Sequence, residues 1–179
     1  KGSVAKTLAG LKAPATSVAF SADSAKIAAG AEDGGLLVWT LADGIAAAVA
    51  PPAEGEAPKP VKVNAVAFLA EGKQLAAAQD NNLIAVYNVT DKLEAAGELK
   101  GHTGPVTALA AVPSAPTQLV SGANDSTVRH WDANGFKMVR QISAGGAVSA
   151  VAVSPDSTRL ALVLTGKNAR LFNAVNGQL

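Results

Sequence analysis

The sequence predicts an all-β protein made of four repeated antiparallel units of four strands each, and three observations carry that expectation. One pattern occurs four times along the 179 residues: a short alternating apolar run, a turn, a second apolar run, a polar turn, and a third run ending in an aromatic residue. The closing aromatics, Trp39, Tyr87, Trp131 and Phe172, follow one another at intervals of 48, 44 and 41 residues. Units of four short strands repeat at roughly 40–45 residues when they are arranged radially.

The first runs are TSVAF (16–20), VNAVAF (63–68), VTALAA (106–111) and VSAVAV (148–153). Alternation at period two marks strands with one face toward a core. Turns follow at SADS (21–24), AEG (70–72), PSAPT (113–117) and SPDS (154–157), where Pro, Asp, Ser and Gly preset or tolerate turn dihedrals. Second runs are KIAAGA, QLAAAQ, QLVSGA and RLALVL, and third runs LLVWT, IAVYN, TVRHWD and ARLFN. Fourth strands are weaker and are placed at 45–50, 97–101 and 137–143. The segment 51–60 holds four prolines and cannot sit inside a sheet, so it is expected to be a loop insertion that lengthens the first interval.

These runs divide the chain into a detached fourth strand at 3–10, a first unit at 11–50, a second at 61–101, a third at 102–145 and a fourth, of three strands, at 146–179. The strand missing at the C-terminus is thus expected at the N-terminus.

Composition narrows the functional classes. Hydrophobic residues make up 49%, largely alanine, with aromatics at only 4%, which suits many thin, similar layers held by a few large anchors. Net charge is +1 from 15 Lys+Arg and 14 Asp+Glu, with no basic run of five or more, so no electrostatic footprint for nucleic acid is visible. No apolar run approaches the ~18 residues a membrane span needs. The absence of cysteine excludes disulfides and thiolate metal sites and leaves the compartment open. The first residue is Lys1, which leads to the expectation of a processed or trimmed chain.

The third unit, GHTGPVTALAAVPSAPTQLVSGANDSTVRHWD (101–132), resembles the WD-repeat family of β-propellers. It carries the Gly-His pair Gly101-His102, the SG of its second strand, the turn aspartate Asp125, and Trp131-Asp132. The resemblance extends over essentially the whole chain, strongest in the third unit and weakest in the second and fourth. It implies a propeller of four-stranded blades. It also implies a structural tetrad in blade three, with His102 bonded to Asp125 and with Ser121 and the Trp131 indole completing the network. Such a network is physically sound, since a buried carboxylate and a buried indole N–H both need partners. The other blades depart from the pattern. Blade one has Asp33 and Trp39 but Leu11 and Ala29 at the His and Ser positions. Blade two has Asp80 or Asn81, Ala77 and Tyr87. Blade four has Gly166, Leu162 and Phe172.

Catalytic constellations are not evident. Ser121, His102 and Asp125 spell a hydrolase triad in composition, but no GxSxG elbow accompanies them. His102 and His130 are the only histidines, and metal sites usually need three or four converging ligands, so neither a metal nor a cofactor is expected. TGKN (165–168) lacks the preceding glycine of a phosphate loop. NVT (88–90) and NDS (124–126) match glycosylation sequons that arise often by chance. Asp23, Asp43 and Asp156 fall in turns.

Binding is expected at loops on the channel face, where Lys12, Glu32, Asn82, Thr103 and Lys167 are the candidate contacts. Four blades are fewer than the seven or eight the family resemblance implies for a ring. The ring is therefore expected to close with a second copy, giving eight blades, or with further blades of a longer chain; a ring of four alone would need sharper wedging. The leading functional expectation is a non-catalytic scaffold for protein partners, without nucleic acid or membrane. The alternatives are a small-ligand or catalytic propeller using the channel mouth, and an engineered or excised propeller piece without its own function.

Overall fold

The computed structural model describes residues 6–44, 46–48, 61–166 and 169–174. The described residues form strands β1 (Ala15–Phe20), β2 (Lys26–Ala31), β3 (Leu36–Thr40), β4 (Ala46–Ala48), β5 (Val63–Leu69), β6 (Gln74–Gln79), β7 (Ile84–Val89) and β8 (Leu93–Leu99). They continue with β9 (Val106–Ala111), β10 (Gln118–Ala123), β11 (Thr127–Asp132), β12 (Lys137–Ser143), β13 (Val148–Val153), β14 (Arg159–Leu164) and β15 (Ala169–Asn173). One 3-10 turn, Ala70–Gly72, joins β5 to β6.

Each sheet is an antiparallel meander in chain order: β1-β2-β3-β4, β5-β6-β7-β8, β9-β10-β11-β12 and β13-β14-β15. The first strands lie side by side, β1 next to β5, β5 next to β9 and β9 next to β13. The chain is thus an all-β propeller of four blades with its a strands innermost.

Apolar faces meet between blades. One cluster joins Leu36 and Val38 of blade one to Val66, Phe68 and Leu75 of blade two. A second joins Ile84, Val86 and Leu99 to Val106, Leu119 and Trp131. A third joins Val120 and Val128 to Leu160, Leu162 and Phe172. Among the described residues no such cluster joins blade four to blade one. The consequence is visible in equivalent positions: Val66 and Phe68 are 5% and 7% exposed, whereas their blade-one counterparts Val18 and Phe20 are 66% and 63% exposed.

The a and b strands share one irregularity in all four blades. The register shifts between Ala15 and Ser17, between Val63 and Ala65, across the Val106–Ala108 stretch, and between Val148 and Ala150. Thr16, Asn64, Thr107 and Ser149 are the extra residues. A bulge leaves its residue out of the ladder and re-aims its side chain.

One fourth strand differs from its expected bounds. In blade two the strand is Leu93–Leu99 rather than 97–101. Thr90 closes a tight turn onto Lys92, and Leu93, 1% exposed, pairs with Val89, so the chain re-enters the sheet at once. In blade one the described strand is Ala46–Ala48, with 45, 49 and 50 outside the described residues. The expected insertion at 51–60 also lies outside them. Of the segment 3–10, residues 6–10 run as coil and 3–5 are not described.

Candidate functional site

The four bulged residues gather at the centre. An open concavity of about 420 Å³ is lined by Ala15, Thr16, Glu32, Lys62, Asn64, Thr107, Asn124, Val148, Ser149 and Thr165, so every blade contributes. Its chemistry is mostly hydroxyl and amide, with one acid and one base. Thr16 Oγ1 donates to the Val63 carbonyl at 2.5 Å, and Thr107 Oγ1 to the Val148 carbonyl at 2.5 Å. Asn64 Nδ2 donates to the Val106 carbonyl at 3.0 Å and to Asp80 Oδ1 at 2.6 Å. Each of these three side chains ties its own blade to the next one.

The candidate contacts on the channel face are not brought to one place. Glu32 lines the central concavity. Lys12 lines a separate one, with Gly10, Leu11, Asp33 and Gly34. Asn82 occupies the left-handed position of a turn, at φ 69°. Thr103 is exposed, and its backbone N–H donates to Asp125 Oδ2 at 3.0 Å. Lys167 lies outside the described residues. The ring of Thr16, Asn64, Thr107 and Ser149 is not among the sequence-based candidates. Its signal is nonetheless present, as a polar residue at the second position of each a strand, in ATSV, VNAV, VTAL and VSAV.

In blade three His102, Ser121, Asp125 and Trp131 come together. Trp131 Nε1 donates to Ser121 Oγ at 2.8 Å. Ser121 Oγ lies 2.7 Å from His102 Nε2, and His102 Nδ1 lies 2.7 Å from Asp125 Oδ2. Burial pushes the His102 imidazole toward its neutral form, against the pull of the Asp125 carboxylate. One tautomer then satisfies every group: indole to hydroxyl, hydroxyl to Nε2, and Nδ1–H to carboxylate. Burial opposes ionisation of Asp125, but donors from the Thr127 hydroxyl, the Thr103 N–H and His102 outweigh it and bring its pKa down to about 2. The contact is therefore a hydrogen bond from neutral histidine to carboxylate. Gly101, at φ +146°, leaves space for the Arg129 guanidinium, with which a Cβ would collide, and Arg129 lies 5.9 Å from the Trp131 ring centroid.

The other blades solve the same positions differently. Trp39 Nε1 donates to the Ala9 carbonyl at 2.9 Å, so residues near the N-terminus serve where blade one has Ala29. Asp33 accepts from the Gly35 N–H, as Asp125 does from that of Thr127. In blade two it is Asn81, accepting from the Leu83 N–H, that holds this turn position, while Asp80 turns to Asn64. Tyr87 has its phenol pKa raised, by burial first and by Glu98 second. Phe172, 5% exposed, has no polar tip to satisfy.

The triad-like composition of Ser121, His102 and Asp125 has no access to substrate, because Ser121 is 0% exposed and its hydroxyl is engaged on both sides. His130 lines a cavity of about 50 Å³ between blades three and four, with Val120, Val128, Arg140 and Leu160. Burial, then Arg140, keeps its pKa below the ordinary value. Among the described residues no group of three or more His, Cys, Asp or Glu could hold a metal ion.

With this geometry the chain can be set beside known proteins. A family model described as WD domain, G-beta repeat, matches residues 2–40 and 94–132. The chain is 29% identical over 104 residues to the THO complex subunit 3 of Arabidopsis thaliana, covering 56% of this chain and 33% of that protein. It is 35% identical over 77 residues to the ribosome biogenesis protein BOP1 homolog of Caenorhabditis elegans, covering 42% of this chain and 11% of that one. It is 33% identical over 89 residues to the CCR4-associated factor 4 homolog of Candida glabrata, covering 45% and 15%. The chain thus spans a third or less of the length of these relatives. The second matched segment ends on Trp131-Asp132 and the first on Trp39-Thr40, the ends of two c strands in a propeller whose blades share one register: the chain is a four-bladed β-propeller with WD-type repeats over those two segments.

Proposed function

We propose that the chain is a non-catalytic interaction scaffold, a run of blades in a ring whose channel mouth binds a protein segment. The observation that carries this reading is the central concavity: all four blades present polar side chains to it on a rigid frame, with Glu32 and Lys62 at its rim. Hydroxyl, amide and paired opposite charges suit the backbone and mixed side chains of a peptide. A strongly basic surface, which nucleic acid would need, is not part of it. The relatives named above are called a complex subunit, a biogenesis protein and an associated factor, which fits proteins that work in assemblies. The scaffold reading includes ring closure, because the outer faces of blades one and four are apolar, and a second copy would supply four further blades.

The test is affinity capture with the purified chain against the same chain carrying Glu32→Lys and Lys62→Glu. Both substitutions sit at an open rim, so folding is expected to be unchanged. Loss of the captured protein is the expected outcome. Capture that is equal with both chains would move the binding site off this face.

A further inference from the structure

The three blade junctions inside the chain share one steric rule. At the b-strand position paired with the third a-strand residue, blade one has Gly30 and blade three has Gly122. A Cβ on Gly30 would collide with Val63 Cγ1 of the next blade, and one on Gly122 would collide with Val148 Cγ1. Blade two has Ala78 at this position and meets Val106 in the same apolar cluster. A small b-strand residue on one blade thus receives a valine from the first a-strand position of the following blade.

On the free face of blade four this rule is inverted. The b-strand position holds Val163, paired with Ala150 and 37% exposed. The first a-strand position of blade one, where the other blades have valine, holds Ala15. Large and small have exchanged sides, so the summed volume across a blade four–blade one junction stays close to that of the internal junctions. If blade four instead met a further blade built like blades two to four, Val163 would face a valine and the junction would be overpacked.

A hydrogen bond points the same way. Thr16 and Thr107 lie within reach of a carbonyl in their own blade, Gly30 at 3.0 Å and Gly122 at 3.1 Å, and of a nearer one in the next blade. Ser149 lies 3.2 Å from the equivalent carbonyl of its own blade, Val163. The acceptor that would complete the pattern is the Ala15 carbonyl of a following blade one. Beside it, Val18 and Phe20 present the apolar surface that Val66 and Phe68 bury at the first junction.

From these complementary faces we infer that blade four docks onto blade one of a second copy of this chain, in the register of the internal junctions, with Val163 against Ala15 and Ser149 donating to the Ala15 carbonyl. Two such junctions, related by a two-fold axis, close an eight-bladed ring. The inference rests on reading the chain as part of a closed ring, and it names the surfaces that close it.

The chain has no cysteine, which makes crosslinking a clean test. Light scattering of the purified chain is expected to give twice the chain mass. The Ala15→Cys, Val163→Cys double variant, oxidised with oxidised glutathione, is expected to give a covalent dimer that reductant dissolves. The Gly122→Cys, Val148→Cys variant is the internal control: a Cβ on Gly122 would stand 3.0 Å from Val148 Cβ, so a separation of roughly half an ångström brings the pair into the 3.5–4.5 Å span of a disulfide. It is expected to crosslink within one chain. A monomer at all concentrations overturns the inference. So does a dimer whose 15–163 pair stays reduced while the control pair oxidises. A monomer that still captures its protein through the Glu32–Lys62 rim would overturn this inference and leave the scaffold reading standing.

Discussion

The Trp131 indole donates to the Ser121 hydroxyl at 2.8 Å, and both residues are closed off from solvent, at 1% and 0% exposure. That bond starts a chain of donors running through His102 to Asp125. Because Ser121 is both acceptor and donor in it, replacing it by alanine strands two buried groups at once, the indole N–H and His102 Nε2. An unmade buried hydrogen bond costs about 1–3 kcal/mol. Ser121→Ala is therefore expected to lower the free energy of unfolding by about 2–4 kcal/mol, read from urea denaturation of the purified chain.

Acid should act on the same network. Asp125 has its pKa lowered from 3.8 to about 2 in the fold, so the unfolded chain binds the proton more tightly. The stabilisation is fully present above about pH 4 and is lost as pH falls through about 2. The Asp125 side chain is 5% exposed, so solvent screens little of the effect. A tenfold difference in proton affinity is worth about 1.4 kcal/mol, which makes the acid-sensitive stabilisation about 2 kcal/mol. His102 acts with the same sign at higher pH: burial favours its neutral form, so stability declines as pH falls below the ordinary histidine value of 6.5. Urea midpoints measured from pH 7 to pH 2 are expected to fall in both windows, and Asp125→Asn is expected to flatten the lower one.

Much of this was legible in the sequence, for physical reasons that differ between elements. The a, b and c strands announced themselves as short apolar runs bounded by turn residues. The b strands of the first three blades are buried on both faces, as at Ala28–Ala31, Leu75–Ala78 and Leu119–Ala123, so their runs are continuously apolar or small. The d strands announced themselves less clearly, because they lie at the rim, although the expected bounds 137–143 are the observed ones. Lys137–Ser143 has five exposed residues, at Lys137, Met138, Val139, Gln141 and Ser143, so burial imposes little pattern there. In blade two the alanines of LEAAG hid a strand that pairing alone defines. The gathering of His102, Ser121, Asp125 and Trp131 could be anticipated because four distinct residue types occur at family spacing. The channel ring of Thr16, Asn64, Thr107 and Ser149 was harder to see. Its members share a bulge, and a bulge shows in the pairing of two strands and not in either strand alone.

Gly122 offers a test of how tightly the blades are wedged. The space its missing side chain would fill is occupied by blade four, where a Cβ would collide with Val148 and stand 3.0 Å from Val151 Cγ1. Gly122→Ala is therefore expected to destabilise the chain by about 1–3 kcal/mol through overpacking. Adding Val148→Ala removes the colliding methyls. The double variant is expected to be more stable than the two single effects predict by at least about 1 kcal/mol, a coupling that identifies direct contact across the junction. Thermal unfolding of the four chains in the cycle gives this number.

Thr107 and Ser149 occupy the same bulge in successive blades, and they should respond differently to the loss of their hydroxyls. Thr107 Oγ1 is 2.5 Å from the Val148 carbonyl across a junction that the chain itself completes. Thr107→Val keeps the shape of the side chain and leaves that carbonyl short of a donor, at an expected cost of about 1–2 kcal/mol. Ser149 has its own-blade contact to Val163, at an exposed site. Ser149→Ala is expected to change unfolding by less than about 0.5 kcal/mol when the chain is diluted to monomer. At concentrations where two copies close a ring, its cost should rise toward that of Thr107→Val, because the hydroxyl would then have an acceptor across the junction. Urea curves at low and high protein concentration separate the two behaviours. A Ser149→Ala effect that is the same at both would mean that no following blade reaches this residue.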